Sequence, residues 1–436
     1  LRTLGHACFA LYPDGANPLL VTDPWLVGSV YWRSWWLQNY PSGEDVDWLA
    51  QTGCVYVTHE HPDHFHMPTI RRLGGAPQYL FPALAERGYL AHMVQHGFRA
   101  EIVAPLQWRA VGDEVSIMSI PVWNDDSLLL VDTPSALILN LNDAKPLPPV
   151  LGALRRMANK VGKPTILMCS YSPASLVNSF LDGTRIVSLK PARHYVDYVC
   201  RLCDRLAADF YMPFASQAVF NRHDSCWAND YRTSYQQLQQ YWQSRTRLLP
   251  TYTTLDLTEF THHSIDPEQY RPMEQSRVAL LTQCRLAHEE RAVLAAEDVA
   301  GLERKLNVFR WLLWLLFPGG FAFQLGERRF GYDARRGRLG DCDLSSGDFI
   351  VDVPKLTIKE AVSNNHVSDL GITMFVRVHL LRRLDPRRIY ALFVLLQIED
   401  YGHLRNIAAL LRWLGRGIRY TFVLRLPLPP RSAAKR

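Results

Sequence analysis

Thr58-His59-Glu60-His61-Pro62-Asp63-His64 decides how this chain reads. It follows Cys54-Val55-Tyr56-Val57, an apolar, β-branched run typical of a short buried strand. In a loop leaving such a strand, His59 and His61 can face one ion, while Asp63 and His64, one turn further on, can face a second. The bland alternative is a solvated polar loop. With 15 His in 436 residues, three of them beside an Asp at these offsets is a poor match to chance.

Working outward, Cys8-Phe9-Ala10-Leu11 and Leu19-Leu20-Val21-Thr22 read as strands around the turn signal Pro13-Asp14-Gly15, and the second stops at Asp23-Pro24. The aromatic stretch Tyr31 to Tyr40, with Trp32, Trp35 and Trp36, is expected to wall a pocket. Beyond the motif, Met67 to Leu73 and Leu84 to His96 read as helices, and 79–81 and 101–103 as strands. Strands continue at 115–122, 128–132, 136–140 and 165–169, with a helix over 192–208. This mixture predicts an α/β or α+β fold. The Ala-, Leu-, Glu- and Arg-rich stretch 277–310 reads as long helix, and 311–436 as a second, smaller α/β unit. The expected organisation is therefore a metal-binding domain over 1–265, a helical connection over 266–310, and a C-terminal domain over 311–436 that is a candidate substrate lid. The last residues, from Leu426, are expected to fray.

Composition sets limits. The net charge of +6 suits an anionic small-molecule substrate but does not argue for nucleic acid, since no Lys/Arg block of five or more occurs. Eight scattered Cys do not make a disulfide scaffold, so a reducing, cytoplasmic setting is expected. The most apolar run, Trp311 to Phe317, is seven residues and reads as a buried helix or a lid on a second core. That is far short of the roughly 20 residues that span a bilayer. The chain opens on Leu1 without a Met, and further residues are expected before it.

The motif after its strand resembles the metallo-β-lactamase superfamily, which implies an αββα sandwich with one or two metals at the sheet ends. Gly5-His6-Ala7-Cys8, Thr22-Asp23-Pro24-Trp25-Leu26, Trp35-Trp36-Leu37 and Asn142-Asp143-Ala144-Lys145-Pro146 resemble the CMP-N-acetylneuraminate hydroxylase branch. So do Phe210 to Ala215 followed by His223-Asp224, and Asp369-Leu370-Gly371-Ile372 with Arg377. The resemblance implies His59, His61, Asp63 and His64 as ligands, Asp143 as a bridging carboxylate and His223 as completing the second site. Asp23 and His6 would orient ligands or waters.

Two departures matter. The superfamily usually supplies one more His before the bridging Asp, and here that stretch reads Pro121-Val122-Trp123-Asn124-Asp125-Asp126-Ser127. Asp125 is the expected replacement, with Asp126 the alternative. Imidazole plus carboxylate with open positions suits non-haem iron, with zinc the other candidate. Secondly, the Rieske cluster of the sialic-acid hydroxylases needs Cys-x-His, and no Cys here has a His two positions on. The one CxxC, Cys200-Arg-Leu-Cys203, reads as helix packing. Electrons would then come from an external donor such as a ferredoxin or a reductase. The resulting expectation is a diiron oxygenase (a monooxygenase that hydroxylates or N-oxygenates a small substrate). The alternative is a dinuclear zinc or iron hydrolase acting on a phosphodiester, lactone or amide.

Overall fold

The computed structural model describes residues 1–84, 88–173, 180–183, 185–186, 190–265, 270–342, 347–404, 406–422 and 424–430. Its first sheet has eight strands in the order His262–Ser264, Thr253–Leu255, Arg2–Leu4, Cys8–Leu11, Leu20–Thr22, Cys54–Tyr56, Gln78–Pro82 and Ala100–Val103. The last four run parallel to one another. The second sheet has seven, in the order Arg247–Leu248, Phe210–Pro213, Thr165–Cys169, Leu137–Asn142, Ser127–Asp132, Ser116–Pro121 and Trp108–Ala110.

These strands are short runs apolar on both faces, so each sheet must be covered twice. The inner faces cover each other: Phe9, Tyr56 and Leu80 of the first sheet share one buried core with Ile117, Ile138 and Met168 of the second. Helices cover the outer faces. Gly43–Leu49 and Met67–Leu73 bury Val46, Leu49, Ile70 and Leu73 on the first sheet. Pro148–Val161 and Ala192–Leu206 cover the second. The result is an αββα sandwich. Along Ala192–Leu206 the buried Val196, Val199, Cys200, Cys203 and Leu206 recur at helical spacing, so the CxxC is packing.

A third sheet has its own core, with Phe321, Phe349, Val351 and Ile358 buried in it. Its order is Arg185–Ile186, Phe180–Asp182, Arg377–Leu380, Phe349–Asp352, Phe321–Leu325, Arg328–Asp333 and Arg338–Asp341. Phe180–Asp182 lies parallel to Arg377–Leu380, so a strand from the first half of the chain completes the C-terminal sheet. The boundary placed at 266 by the sequence falls on 266–269, outside the described residues. Residues 85–87 and 431–436 lie outside them as well, and the helix expected over 84–96 is described as Tyr89–Gln95.

Two expectations need correction. The stretch 277–310 is not one helix: Gln275–Arg291 ends, Ala296–Asn307 starts anew with the Asp298 carboxylate accepting from the Ala295 amide at 2.8 Å, and Arg310–Leu316 follows. The Trp311–Phe317 run buries Leu313 and Phe317 but leaves Trp311, Leu312, Trp314 and Leu315 between 38% and 72% exposed. A single helix face against the core can bury only part of so apolar a segment.

Arg222 ties these units together. Its fully buried guanidinium donates to both carboxylate oxygens of Glu289 at 2.9 and 2.8 Å and to Asp224 at 2.9 and 2.8 Å. It also donates to the Trp32 carbonyl at 3.0 Å and lies 3.8 Å from the Phe375 ring centroid. Arg285 extends the network from Glu289 to Glu360, which accepts from the Trp32 indole at 2.7 Å.

Candidate metal centre

The parallel pairing of Leu20–Thr22 with Cys54–Tyr56 ends both strands at one level and builds the site. Asp23, at a left-handed φ of 38°, accepts from the Thr58 amide at 2.7 Å and the Thr58 hydroxyl at 2.8 Å. Its second oxygen also lies 3.1 Å from His64 Nδ1. Asp23 thus shapes the start of the loop and sets the ring of His64, leaving Nε2 to face the site. The second sheet closes from the other side. Ser127 donates from its hydroxyl to the Thr58 carbonyl at 2.7 Å, and Asn142 donates to the Ser127 carbonyl at 2.8 Å.

His6, Asp63, His64 and Asp143 each offer a ligand atom, all four within 4.8 Å of one another. His64 Nε2 is 3.2 Å from Asp143 and 3.6 Å from Asp63, and His6 Nε2 is 3.4 Å from Asp63. Beside them, His59 Nε2 is 2.9 Å from His61 Nδ1, and the His59 and His64 ring centroids are 4.0 Å apart. Asp126, rather than Asp125, lies against this second group, 3.2 Å from His59 Nδ1.

Asp125 is turned to His403, whose Nε2 is 2.6 Å away, although it also lines the cavity. His223 stands on an exposed turn apart from the four clustered residues. Where the sequence reading placed His223, the structure brings His6.

Burial raises the electrostatic stakes. It works to lower the imidazolium of His64, but Asp63 and Asp23 outweigh it and hold this imidazole well above its usual range. Burial lowers His6 and His61. Burial opposes the charged form of Asp143, yet His64 draws its carboxyl far below the usual range. Asp23, Asp63 and Asp143 therefore ask for positive charge at the His64 position. Both ring nitrogens of the buried His6 lack a hydrogen-bond partner. Buried polar groups are rarely left so, and orphaned imidazole nitrogens among carboxylates fit a bound cation.

Three residues that the sequence reading did not assign complete the surroundings. The Tyr31 hydroxyl donates to Asp63 Oδ1 at 2.6 Å. Tyr31, Trp32 and Arg33 are consecutive non-glycine residues at φ 48°, 53° and 63°. Each costs on the order of 1 kcal/mol and persists because the surroundings hold it. The Ser34 amide donates to the Tyr31 carbonyl, the Trp36 indole to that of Arg33 and the Arg222 guanidinium to that of Trp32. Asp369, on the turn Ser368–Ile372, lies 3.8 Å from His61 Nε2 and 3.2 Å from His366. His403 holds Asp125. Asp369 and Tyr31 stood in stretches already singled out, Tyr31 as pocket wall; nothing local in the sequence marked His403.

A cavity of about 190 Å³ opens onto His59, His61, Asp63, Asp126 and Asp143, with Lys145 and Gln397 also at its wall. A neighbouring cavity of about 510 Å³ shares Tyr31 and Asp369 with it and is faced by Trp32, Phe65 and Tyr89. The aromatic loop thus walls both. Arg377, part of the resemblance, lies 4.1 Å over the Trp227 ring and donates to the Asp224 carbonyl.

The beta-lactamase superfamily domain matches residues 1–135. Over 72 residues, 16% of this chain, it is 38% identical to the inactive cytidine monophosphate-N-acetylneuraminic acid hydroxylase of Homo sapiens; that stretch is 14% of the human protein. The hydroxylase of Asterias rubens is 37% identical over 68 residues, which is 16% of this chain and 10% of that protein. Among solved structures, a mutant of the CmlA beta-hydroxylase aligns over 49% of this chain and 45% of its own, at 17% identity and a TM-score of 0.35. An isothiocyanate hydrolase from Delia radicum gut bacteria aligns over 61% and 98%, at 12% identity and a TM-score of 0.40. The chain therefore spans a small fraction of the curated relatives it matches, and its likeness to the beta-lactamase superfamily domain lies in residues 1–135.

Proposed function

We propose that this protein is a metal-dependent oxygenase that uses two ions, iron by preference, to hydroxylate or N-oxygenate a small substrate. The observation that carries the reading is the donor set. No third imidazole joins His59 and His61; Asp126 stands 3.2 Å from His59 Nδ1, the nitrogen turned away from His61, where it orients the ring and adds negative charge. Asp63 and Asp143 add two more carboxylates beside His64. A mixed imidazole and carboxylate set suits iron.

His59 and His61 would hold one ion, with Asp126 orienting the His59 ring through Nδ1, and His6, Asp63, His64 and Asp143 would hold the other. When bound, an iron pair supplies the O2 and one-electron chemistry that no side chain provides. The chain's own residues do the rest. Asp23 fixes the His64 ring through Nδ1. Tyr31 keeps a proton on its own oxygen and donates it to Asp63, which fixes that carboxylate's free lone pairs. Lys145 and Gln397 offer hydrogen bonds to a polar substrate. The cavity beside them is of ordinary small-molecule size, with Tyr31, Trp32, Phe65 and Tyr89 on one part of its wall and Glu60, Glu360 and Asp369 on another. Electrons are assigned to an external donor protein.

The test is metal analysis of protein purified without oxygen, followed by an optical spectrum and O2 uptake with a chemical reductant. Iron at two equivalents with reductant-dependent O2 uptake is expected. Stoichiometric zinc, no visible absorption and no O2 uptake would replace this reading with the hydrolase one.

A further inference from the structure

The helix Ile407–Phe422 carries an apolar stripe that faces away from the protein. Ile407 is 76% exposed, Leu411 61%, Leu414 44%, Ile418 57% and Phe422 70%. Their offsets of four, three, four and four place all five on one face. The opposite face is seated through the buried Ala409 and Tyr420, so the stripe is not an artefact of a loose helix. Leaving five large apolar side chains in water along one line is costly, and such contiguous patches mark an interaction surface.

Charge says what covers it. The helix has Arg412, Arg416 and Arg419 and no acidic residue. The three guanidiniums line a cavity of about 350 Å³ with His403 and Tyr420. The asymmetry extends along the sequence: residues 401–436 hold eight Lys and Arg and no Asp or Glu. Without them, the chain has 40 basic and 42 acidic residues, so its whole positive excess comes from this segment. Among the described residues no helix is long and apolar enough to cross a membrane. An amphipathic helix with a wide apolar face and a one-signed cationic flank instead suits a position in the plane of an anionic bilayer interface.

We propose that Ile407–Phe422 seats this protein on an anionic lipid surface. Its apolar stripe enters the headgroup and acyl boundary, and Arg412 and Arg419, on the flank of the stripe, reach lipid phosphates or carboxylates, while Arg416 stays on the seated face toward Asp125. Since Asp125 and His403 lie at the base of the same segment, the seated face is continuous with the wall of the candidate metal centre. The inference stands on the helix alone and does not depend on which reaction the centre performs.

The test is co-sedimentation of the full chain with vesicles of phosphatidylcholine, alone or with about one-third phosphatidylserine. Binding is expected to the anionic vesicles only, and to weaken as added salt screens it. Leu411→Glu with Ile418→Glu should abolish it. Arg412→Gln with Arg419→Gln should weaken it by about tenfold or more, since each basic residue near such a surface contributes about a fivefold factor. The other exposed apolar helix serves as a control: Trp311→Ser with Leu315→Ser should leave binding unchanged. Circular dichroism checks that each variant folds. No sedimentation with anionic vesicles would overturn the proposal, as would loss through the control pair in place of the Leu411 and Ile418 pair. So would a concentration-dependent dimer broken by the latter pair in a chain that ignores vesicles, because the stripe would then bind a second copy.

Discussion

His403 Nε2 lies 2.6 Å from the Asp125 carboxylate, and both side chains are buried. The partners are 278 residues apart in sequence, and the carboxylate expected at the metal is held by an imidazole from the C-terminal segment instead. Asp125→Ala is therefore expected to keep the metal content of the protein and to lower its stability by about 2 kcal/mol, the usual cost of stranding a buried partner. Asp126→Ala also strands a buried partner, the Ser127 amide, but should in addition weaken metal binding by about tenfold or more, because it frees the His59 ring. Elemental analysis and thermal unfolding, run on both variants, separate the two roles.

His6 and His223 make an equally clear contrast. His6 lies within the four-residue cluster with both ring nitrogens unpartnered, while His223 is exposed outside it. His6→Ala should lower bound metal by at least one equivalent, and His223→Ala should leave it unchanged. A His223 variant that loses metal would return that residue to the site.

Tyr31→Phe removes only the hydroxyl that donates to Asp63. Losing a partner that orients a ligand typically costs about tenfold or more in metal affinity. Competition with a chelator should show that weakening while the melting temperature of the apo-protein stays nearly constant.

Glu289 answers to Arg222 and Arg285 together. Glu289→Ala leaves Arg222 with Asp224 as its remaining carboxylate partner and takes away the partner of Arg285, so the expected loss of stability is about 1–3 kcal/mol. Urea unfolding should show a lower midpoint. Unchanged stability would mean that Asp224 alone compensates Arg222.

The cysteines give a chemical map of burial. Cys226 and Cys284 are exposed, while Cys8, Cys54, Cys169 and Cys203 are buried. Burial pushes the Cys54 and Cys169 thiols up to about 12, so raising the pH toward 9 creates little thiolate there. Mass spectrometry after brief alkylation of the folded protein should find label on Cys226 and Cys284 first, and denaturant should be needed to label the buried five, Cys200 included.

The strands and the motif were legible in the sequence because their causes are local, while the sandwich that they build was implied by the resemblance. Short apolar runs read as strands whatever surrounds them, and Thr58 to His64 are contiguous, so strand exit and donor spacing are visible together. The CxxC could be placed as packing for the same reason: helical spacing puts Cys200 and Cys203 on the covered face.

What only the tertiary structure decided is which distant side chain meets each of those local groups. Asp125 and Asp126 are neighbours with the same chemistry, and nothing within the stretch says which one turns to His59. That depends on His403 arriving from the far end of the chain to take the other. His6 likewise lies beside His64 because the turn after Arg2–Leu4 carries it there. Gly5 permits that turn with a φ of +56° at a place where a Cβ would sit 2.6 Å from the Trp25 carbonyl. The sequence by itself determined the strands, the loop and the kinds of donor. Their partners rest on long-range contacts between buried charges, where a hydrogen bond or an ion within a few ångströms outweighs any local preference.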